Sequence, residues 1–326
     1  MLKRISAAAL ALCVAFALNG CINANFKLFT DATDPLQEHV LAGSGSGKVL
    51  MIPVHGMITA SSDGNFVKSN PSVVQDVVSQ LEMAAKDKDV KSVLLVVNSP
   101  GGTVTASDMI YNELMRYKTR TGAKIVVCML DMATSGGYYI SLPADYIYAH
   151  PTTVTGSVGV IFMRPEFYGL MDKIGVGLKT DTSGKYKDMG SPFRKSSPDE
   201  DKLFSKLVSD LAKKFTDKVK QRRMISDENM KEIATAKIYV ADEAVAAGLV
   251  DKTGYMEDAI AKAKELGGLQ KDAKLVVYRR DTFANDNVYN MSTSGYPAKP
   301  LVDTGIIGHA ATAQAGFYYV WPAAMP

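Results

Sequence analysis

Short apolar segments recur through the middle of the chain and predict the strands of a sheet, at residues 49–54, 93–97, 125–129, 146–149 and 275–278. The segment 93–97 is uniformly apolar and rich in β-branched side chains, which is typical of a strand covered on both faces. Between these strands, apolar side chains appear at helical spacing. Repeats of strand, helix and strand predict right-handed crossovers and a mainly parallel sheet, in which binding sites lie at the carboxyl ends of the strands.

Capping signals mark several of the predicted helices. Ser72 precedes a run with valines and a leucine on one face, and a second helix is predicted over residues 105–117. Residues 197–200 (S-P-D-E) form a capping box that begins a longer helix. Its apolar stripe consists of Leu203, Leu207, Leu211, Phe215 and Val219. This stripe fits either packing on the helix's own domain or a seam against another subunit.

Two glycine-containing turns follow predicted strands and carry the candidate chemistry. Residues 98–102 (N-S-P-G-G) form a glycine turn, whose backbone N–H groups can point towards a reacting group without obstruction by side chains. Residues 133–137 (A-T-S-G-G) put Ser135 among small residues at the start of an apolar run. Backbone donors beside an exposed hydroxyl are the components of an acyl-transfer site, so the sequence predicts such a site at this edge of the sheet.

The composition favours a globular α/β protein with one catalytic unit. The chain has 326 residues, of which 47% are hydrophobic and 22% are charged, and neither glycine turn occurs a second time. The formal net charge is +3, and without the first twenty residues, whose only charges are Lys3 and Arg4, it is (37 − 2) − 34 = +1. This charge gives no basis for binding nucleic acid.

The N-terminus has the pattern of an export signal. Two basic residues precede an apolar run over residues 5–18, which is too short to span a bilayer comfortably. Residues 18–21 (L-N-G-C) resemble a bacterial lipobox, although Asn19 departs from the usual small or apolar residue. We therefore expect a signal peptide over residues 1–20 and a lipid on Cys21, which would anchor the protein in the cell envelope, facing the periplasm, with the choice of membrane left open. An uncleaved or conventionally cleaved signal is the alternative.

The rest of the chain divides into three predicted parts. Residues 21–48, which end in a Gly-Ser run, are predicted to be a flexible tether. Residues 49–280 form the α/β domain, and residues 281–326 form a tail in which the regular pattern ends. The aromatic end of the tail, residues 317–321, is interpreted either as strand or subunit packing or as an occupant of a neighbouring subunit's substrate groove. Cys128, in an apolar strand, is predicted to be a core residue.

A serine nucleophile requires a base, and the sequence offers histidine or lysine. Four histidines are present, none with a recognisable orienting carboxylate, at His39, His55, His150 and His309. Lysine occurs in the polar loop of residues 184–187 (G-K-Y-K). A free lysine has a pKa of about 10.4, so roughly one in 2,500 is neutral at pH 7. A lysine base must therefore be buried without a carboxylate partner, and the residues alone leave the base open.

Four motifs, in this order, resemble those of one family. They are residues 98–102 (N-S-P-G-G), 135–139 (S-G-G-Y-Y), 155–160 (T-G-S-V-G-V) and 184–187 (G-K-Y-K), and the later stretch 244–251 also matches. Together they resemble the signal peptide peptidase A (protease IV) family of serine proteases, over about residues 49–266. Each motif alone is modest, but four motifs in register are specific.

The resemblance implies a Clp-protease/crotonase-like α/β fold, with repeated β-β-α and β-α-β units, and a serine–lysine dyad that uses neither a metal nor a cofactor. It implies that Ser135 is the nucleophile, that Lys187 is the general base and that Ser157 orients the lysine. The N–H groups of Gly102 and Gly136 would form the oxyanion hole.

The resemblance also bears on the choice of lysine, on assembly and on substrates. The spacing Tyr-Lys-x4-Pro-Phe favours Lys187 over Lys185 as the base. The chain resembles the short members of the family, which assemble into rings or domes of identical subunits in which neighbours supply the serine and the lysine. The implied substrates are apolar peptides, chiefly signal-peptide remnants in the membrane.

Two other functions stay open at this point. A related peptidase, of the phage-maturation or stomatin-associated type, would process one protein partner, although the export signal disfavours the phage type. A lipid-anchored ring could instead be a non-catalytic envelope scaffold. The intact serine, lysine and glycine turns argue against the scaffold.

Overall fold

A computed structural model describes residues 34–64, 69–292 and 316–324. The predicted signal peptide, Cys21 and His309 lie outside these described residues. In the described part of the chain, no helix combines the length and the apolar character needed to cross a membrane.

The secondary structure alternates between strands and helices, as the periodicity predicts. The strands are β1 (Gln37–Ala42), β2 (Gly45–His55), β3 (Asp63–Gly64), β4 (Ser69–Asn70), β5 (Val90–Ser99), β6 (Gly101–Thr103), β7 (Lys124–Thr134), β8 (Tyr146–Ala149), β9 (Val154–Gly156), β10 (Ile161–Met163), β11 (Ile238–Val240), β12 (Lys252–Thr253), β13 (Ala273–Arg279) and β14 (Gly316–Val320). The helices are α1 (Val73–Ala84), α2 (Val104–Thr121), α3 (Gly136–Tyr139), α4 (Tyr168–Lys173), α5 (Pro198–Arg222), α6 (Asp227–Ile233), α7 (Ala241–Ala246) and α8 (Met256–Leu266).

Seven strands form the main sheet in the order β1-β13-β2-β5-β7-β8-β12, and β9 and β11 extend it beside β7. All neighbours along this order are parallel except β1 and β13. Strand β9 runs parallel to the end of β7 and antiparallel to β11. The mainly parallel sheet confirms the predicted α/β class.

The main sheet is buried on both faces because successive side chains of a strand point to opposite sides. Residues 93–97 of β5 have no exposed surface, as their apolar sequence predicts. Leu95 belongs to a buried cluster that includes Ile110 of α2, whereas Leu94 belongs to a second cluster that includes Ala259 of α8. The central strands are therefore held between two apolar layers, which fixes their carboxyl ends.

The apolar stripe predicted on α5 is buried in its second half only. Phe215 and Val219 have no exposed surface. Leu203 and Leu207 are 37% and 41% exposed, and Phe204 is buried instead. Within one chain, the stripe thus packs on its own domain at Phe215 and Val219, whereas Leu203 and Leu207 are exposed.

The flexible tether predicted over residues 21–48 is wrong from Gln37 onward. Strand β1 pairs with β13, and β2 already begins at Gly45. The glycines serve a tight turn between these two strands rather than flexibility. Gly43 has a φ of 79°, and a Cβ on it would lie 2.4 Å from the carbonyl oxygen of Ala273. The folded domain therefore begins before residue 49.

A smaller antiparallel sheet has the order β10-β14-β6. Its middle strand comes from the tail predicted after residue 280. The aromatic end of the tail thus packs as a strand on its own chain, between β6, which contains the two glycines of the first glycine turn, and β10, which follows Ser157.

Candidate active site

Ser135 lies in the sharp turn between β7 and α3. Its backbone has φ 52° and ψ −110°, and holding a residue in such a sparsely populated conformation costs of the order of 1–3 kcal/mol. The residue is 1% exposed, and its Oγ has no hydrogen-bond partner among the described residues. The strained turn thus holds a hydroxyl that neither donates nor accepts a hydrogen bond. A serine nucleophile needs such a hydroxyl, because a base must be able to take its proton.

The backbone of the first glycine turn, with the nitrogen of Gly102, lies close to the backbone of Gly136, which directly follows Ser135. A Cβ on Gly136 would lie 3.0 Å from the nitrogen of Gly102, and a Cβ on Gly101 would lie 2.8 Å from the nitrogen of Gly136. Gly101 also has a φ of 106°, which other residues rarely adopt. The two turns approach this closely only because glycine occupies them, and they bring two N–H donors to the end of β7.

Two buried residues hold the first glycine turn in place. The N–H of Ile58 donates to the carbonyl oxygen of Gly101 (2.8 Å), and the carbonyl oxygen of Ile58 accepts the N–H of Thr103 (3.0 Å). The hydroxyl of Ser99 accepts the N–H of Gly101 (3.1 Å) and donates to the carbonyl oxygen of Gly56 (2.7 Å). Sequence reasoning missed Ile58, because an isoleucine after a strand carries no signal of pairing with a distant turn.

Ser157 lies beside Ser135 because β7 and β9 are parallel neighbours. Thr134 and Gly156 are register partners, and the N–H of Ser135 donates to the carbonyl oxygen of Gly156 (2.8 Å). Ser157 is 8% exposed and has a φ of 53°, and its N–H donates to the carbonyl oxygen of Lys237 (2.8 Å). The two serines singled out in the sequence are therefore brought together at one edge of the sheet.

Lys187 is exposed and lies in the loop between α4 and α5. Its backbone N–H donates to the carbonyl oxygen of Gly184 (3.0 Å). No hydrogen bond joins its amine to Ser135 Oγ, which is unbonded throughout the described ranges. A single chain therefore brings together both serines and both glycines of the predicted site, but its Lys187 amine is not hydrogen-bonded to Ser135.

Lys185, the competing lysine, forms an ion pair with Asp199. The Nζ–Oδ2 distance is 3.1 Å, and the two side chains are 67% and 57% exposed. Hydrogen bonds with Tyr186 and with Asp199 raise the pKa of Lys185. A raised pKa favours the charged amine, which cannot accept a proton, so this pairing disfavours Lys185 as the base.

Arg194 ties the loop that follows Lys187 to the start of α5. Its Nε donates to Asp188 Oδ2 (2.7 Å), and its Nη1 donates to Glu200 Oε2 (3.0 Å). The guanidinium holds the pKa of Asp188 below its usual value. The same guanidinium, aided by the N–H of Ser197, lowers the pKa of Glu200 to about 2. The sequence analysis did not identify Arg194 as a partner of these carboxylates, although the predicted capping box does include Glu200.

The other groups considered from the sequence are not hydrogen-bonded to Ser135. The Nδ1 of His150 is hydrogen-bonded to Thr152 Oγ1 (2.8 Å), and His39 lies on the edge strand β1. Neither of these histidines is hydrogen-bonded to Ser135 Oγ, which has no partner among the described residues. Burial raises the pKa of the Cys128 thiol to about 12, as suits a core residue rather than a nucleophile.

Comparison with known proteins identifies the family. A family model described as Peptidase family S49 matches residues 118–270, and one described as Clp protease matches residues 66–154. A putative signal peptide peptidase of Enterococcus faecium is 34% identical over 301 residues, which cover 90% of this chain and 87% of that protein. The chain belongs to peptidase family S49.

Membership of family S49 confirms the resemblance to signal peptide peptidase A and the Clp-protease-like α/β fold, and it supports a peptide-bond hydrolase. A putative protease of Methanocaldococcus jannaschii is 38% identical over 192 residues, which cover 59% of this S49 peptidase and 61% of that protein, so the chain spans less than two thirds of that relative. Among solved structures, a ClpP1 mutant from Listeria monocytogenes aligns at a TM-score of 0.41 and 16% identity, over 65% of this chain and 94% of that chain.

Proposed function

We propose that this S49 peptidase is a serine endopeptidase in which Ser135 is the nucleophile and Lys187 is the general base. The observation that carries the proposal is the unbonded Ser135 hydroxyl, held in a strained turn beside the N–H groups of Gly102 and Gly136. In this proposal, Ser157 hydrogen-bonds the lysine amine and orients it, since it adjoins Ser135 in the register of β7 and β9.

The proposed reaction follows from these groups. Neutral Lys187 accepts the proton of the Ser135 hydroxyl as Oγ attacks the peptide carbonyl carbon, and the N–H groups of Gly102 and Gly136 donate to the resulting oxyanion. The protonated lysine then gives its proton to the leaving amine as the C–N bond breaks. Water attacks the acyl-enzyme as Lys187 accepts its proton, and Lys187 then returns that proton to Ser135 Oγ as the ester bond breaks, which releases the carboxylic acid and restores both the serine and the neutral lysine.

The lysine is proposed to reach Ser135 of a neighbouring copy in a homo-oligomer. Residues 167–193, which we call the arm, contain Lys187 and several large apolar side chains, each 43% to 63% exposed: Phe167, Leu170, Ile174, Val176, Leu178, Tyr186 and Phe193. An apolar surface of this kind marks an interaction site. Packing the arm on a second copy would bury these side chains and remove water from the amine, which favours the neutral form that a base needs.

The proposed substrates are apolar peptides, such as signal-peptide fragments, at the envelope face of a membrane. This part of the proposal follows from the predicted export signal and from Cys21 as the predicted site of lipid attachment. A peptidase dedicated to one protein partner is the second candidate. A non-catalytic scaffold is less well supported, because a scaffold has no need for a strained serine beside two converged N–H donors.

A labelling experiment tests the proposed chemistry. Purified protein lacking residues 1–33 would be treated with a fluorophosphonate probe and, separately, assayed on apolar peptides. We expect the wild type to be labelled, Ser135→Ala and Lys187→Ala to lose both labelling and hydrolysis, and the matched control Lys185→Ala to keep both. Full activity of Lys187→Ala would reject the dyad, and labelling of Ser135→Ala would reject the nucleophile.

A further inference from the structure

Arg194 joins the turn that carries Lys187 to the first turn of α5. Its Nε and Nη2 donate to the two carboxylate oxygens of Asp188 (2.7 and 2.8 Å), and Nη2 also donates to the Asp188 carbonyl oxygen (3.1 Å). On the side of the helix, Nη1 donates to Glu200 Oε2 (3.0 Å) and Nη2 donates to Glu200 Oε1. One guanidinium thus holds two carboxylates, and one of them belongs to the residue directly after the proposed base.

We propose that Arg194 is a positioning residue for the reaction: it holds the turn that carries Lys187 on α5 and binds the carboxylates of Asp188 and Glu200, so that neither of them pairs with the lysine amine. The inference deepens the proposed function and rests on it, because a base that must be neutral has to be kept apart from carboxylates. In this role Arg194 acts through Lys187 and not on the substrate.

The carboxylate of Asp188 is the nearest one to Lys187 along the chain. Consecutive Cα atoms lie about 3.8 Å apart, and a lysine side chain is long enough for its amine to reach the carboxylate of the next residue. The Arg194 guanidinium holds the pKa of Asp188 below its usual value, so this carboxylate is ionised at neutral pH. Without Arg194 it would favour the charged ammonium form of Lys187, which cannot accept a proton.

Glu200 is the second carboxylate that Arg194 binds. It is 2% exposed, and its Oε2 also accepts the N–H of Ser197 (2.7 Å) in the capping box. Arg194 and this N–H lower the pKa of Glu200 to about 2, so it is ionised as well. A buried carboxylate needs a cationic partner, and Arg194 supplies one that is always charged.

The other acidic residues in the first turn of α5 pair with other cations. Asp199 Oδ2 lies 3.1 Å from Lys185 Nζ, and Asp201 Oδ1 lies 3.1 Å from Arg164 Nη2. Across residues 34–64, 69–292 and 316–324, no ion pair joins Lys187 to any of the acidic side chains around its turn. The pairing is therefore arranged so that every neighbouring carboxylate of this helix has a cation other than the proposed base.

The elements that meet at this turn contribute further charged and titratable groups. Glu166 lines a small cavity together with two cations, Arg164 and Arg194. The full set consists of Lys185, Tyr186, Asp188, Arg194 and Lys195 of the loop, Asp199, Glu200 and Asp201 of α5, and Arg164 and Glu166 of the segment between β10 and α4. Asp188 is the member of this set that directly adjoins Lys187, so its partner has the greatest effect on the amine.

The backbone of the turn shows how Arg194 also fixes its shape. The N–H of Lys187 donates to the carbonyl oxygen of Gly184 (3.0 Å), and the N–H of Ser191 donates to the carbonyl oxygen of Asp188 (3.0 Å). The same Asp188 oxygen accepts Nη2 of Arg194. Arg194 therefore holds both the backbone and the side chain of the residue that follows the base.

The pH dependence of peptide hydrolysis tests the proposal. A general base accepts a proton only in its neutral form, so kcat/KM falls on the acidic side of its titration. In Arg194→Gln, the released Asp188 carboxylate would favour the charged amine. We expect this acidic limb to move to higher pH by about one unit or more, which lowers kcat/KM at pH 7 by about tenfold or more, and we expect the loss to shrink as the pH rises.

Removing the released carboxylate should reverse the shift. In Arg194→Gln/Asp188→Asn, the acidic limb should return to within about 0.3 units of its wild-type position. Lys206→Gln is the matched control, because it releases the carboxylate of Asp210 elsewhere on α5 and should leave the limb in place. A shift in Arg194→Gln that Asp188→Asn does not reverse would overturn the proposal.

Asp188→Asn alone covers the case in which the Arg194 variants do not fold. Arg194 already binds this carboxylate, so its removal should move the acidic limb by less than about 0.3 units. A shift of about one unit to lower pH would show that Asp188 acts on Lys187 even in the presence of Arg194, and it would overturn the proposal.

Competitive acetylation separates the inference from the proposed function. In a Ser135→Ala background, each chain would be labelled with isotopic acetic anhydride over a range of pH, and acetylation of Lys187 would be measured by mass spectrometry. We expect the midpoint of Lys187 labelling to rise by about one unit in Arg194→Gln and to return with Asp188→Asn. An unmoved midpoint would overturn the inference. A moved midpoint with an unmoved limb of hydrolysis would instead support the separation of Asp188 from Lys187 and reject Lys187 as the base.

Discussion

Ser135 and Ser157 directly follow two register partners on parallel strands, Thr134 and Gly156, and both have a positive φ, of 52° and 53°. Strain of this kind costs stability and collects at functional sites. Two strained serines side by side at the carboxyl edge of a parallel sheet are difficult to explain by packing. They are expected if one serine must attack a carbonyl and the other must hold the base.

The glycine turn gives a steric prediction. In Gly101→Ala, the new Cβ would lie 2.8 Å from the nitrogen of Gly136 and 2.0 Å from the carbonyl oxygen of Tyr319. Displacing one oxyanion donor typically lowers kcat about 10²- to 10³-fold, and we expect a loss of this size in peptide hydrolysis.

Gly122→Ala is the matched control for this substitution. Gly122 also has a positive φ, of 71°, but no atom lies within 4 Å of the position that its new Cβ would take. The control should therefore lose about 1–2 kcal/mol of stability through backbone strain and keep its kcat. A Gly101→Ala enzyme with normal kcat would contradict the assigned donors.

The arm gives a prediction about assembly. Ile174 is 63% exposed in one chain, and the proposed interface would bury it. Ile174→Asp should shift the protein to monomers in analytical ultracentrifugation and abolish peptide hydrolysis, since an unpaired carboxylate opposes burial. Met224, which is fully exposed and lies outside the arm, provides the control Met224→Asp, for which neither readout should change. An active oligomer of Ile174→Asp would exclude the arm from the interface.

The sequence predicts the strands and helices of this protein better than it predicts the candidate active site. The segment 93–97 could be assigned as a buried strand because its uniform β-branched character has no other good explanation. By contrast, the Gly-Ser run before residue 48 has the composition of a linker, and only the close approach of Gly43 to Ala273 identifies it as a turn. Composition describes local preference, whereas this turn depends on a strand more than two hundred positions away.

The candidate site shows the same division between local and distant signals. Ser135 and the glycines were found because short motifs require them at adjacent positions. The pairing of Tyr319 with Gly102 could not be found in this way, because it joins segments with no common pattern. The base is harder still to predict, since in the proposed assembly the burial of Lys187 would depend on a second copy of the chain and not on its immediate neighbours.

The carboxylate beside Arg194 gives a prediction about pH. The pKa of Glu200 falls from its ordinary 4.5 to about 2 in the folded protein, so its interactions stabilise the fold fully above about pH 5 and are lost as the pH falls through 2. The difference in Tm between the wild type and Glu200→Gln should therefore narrow between pH 6 and pH 2.

The exposed pair of Lys206 and Asp210 provides the control for that measurement. Asp210 is 54% exposed, and ion pairs of this kind contribute about 0–1 kcal/mol. Asp210→Asn should follow the wild type at every pH. A constant Tm difference for Glu200→Gln would show that its carboxylate is not held by Arg194 in the folded state.

The central claim is that Ser135 and Lys187 act together across two copies of the chain, and complementation tests it most directly. Ser135→Ala and Lys187→Ala would be purified separately, dissociated, mixed in equal amounts and allowed to reassemble before a peptide assay. Each variant alone should be inactive, and random mixing should restore about a quarter of the wild-type activity, because each site needs an intact serine from one neighbour and an intact lysine from the next. A mixture that reassembles and stays inactive would contradict the shared dyad.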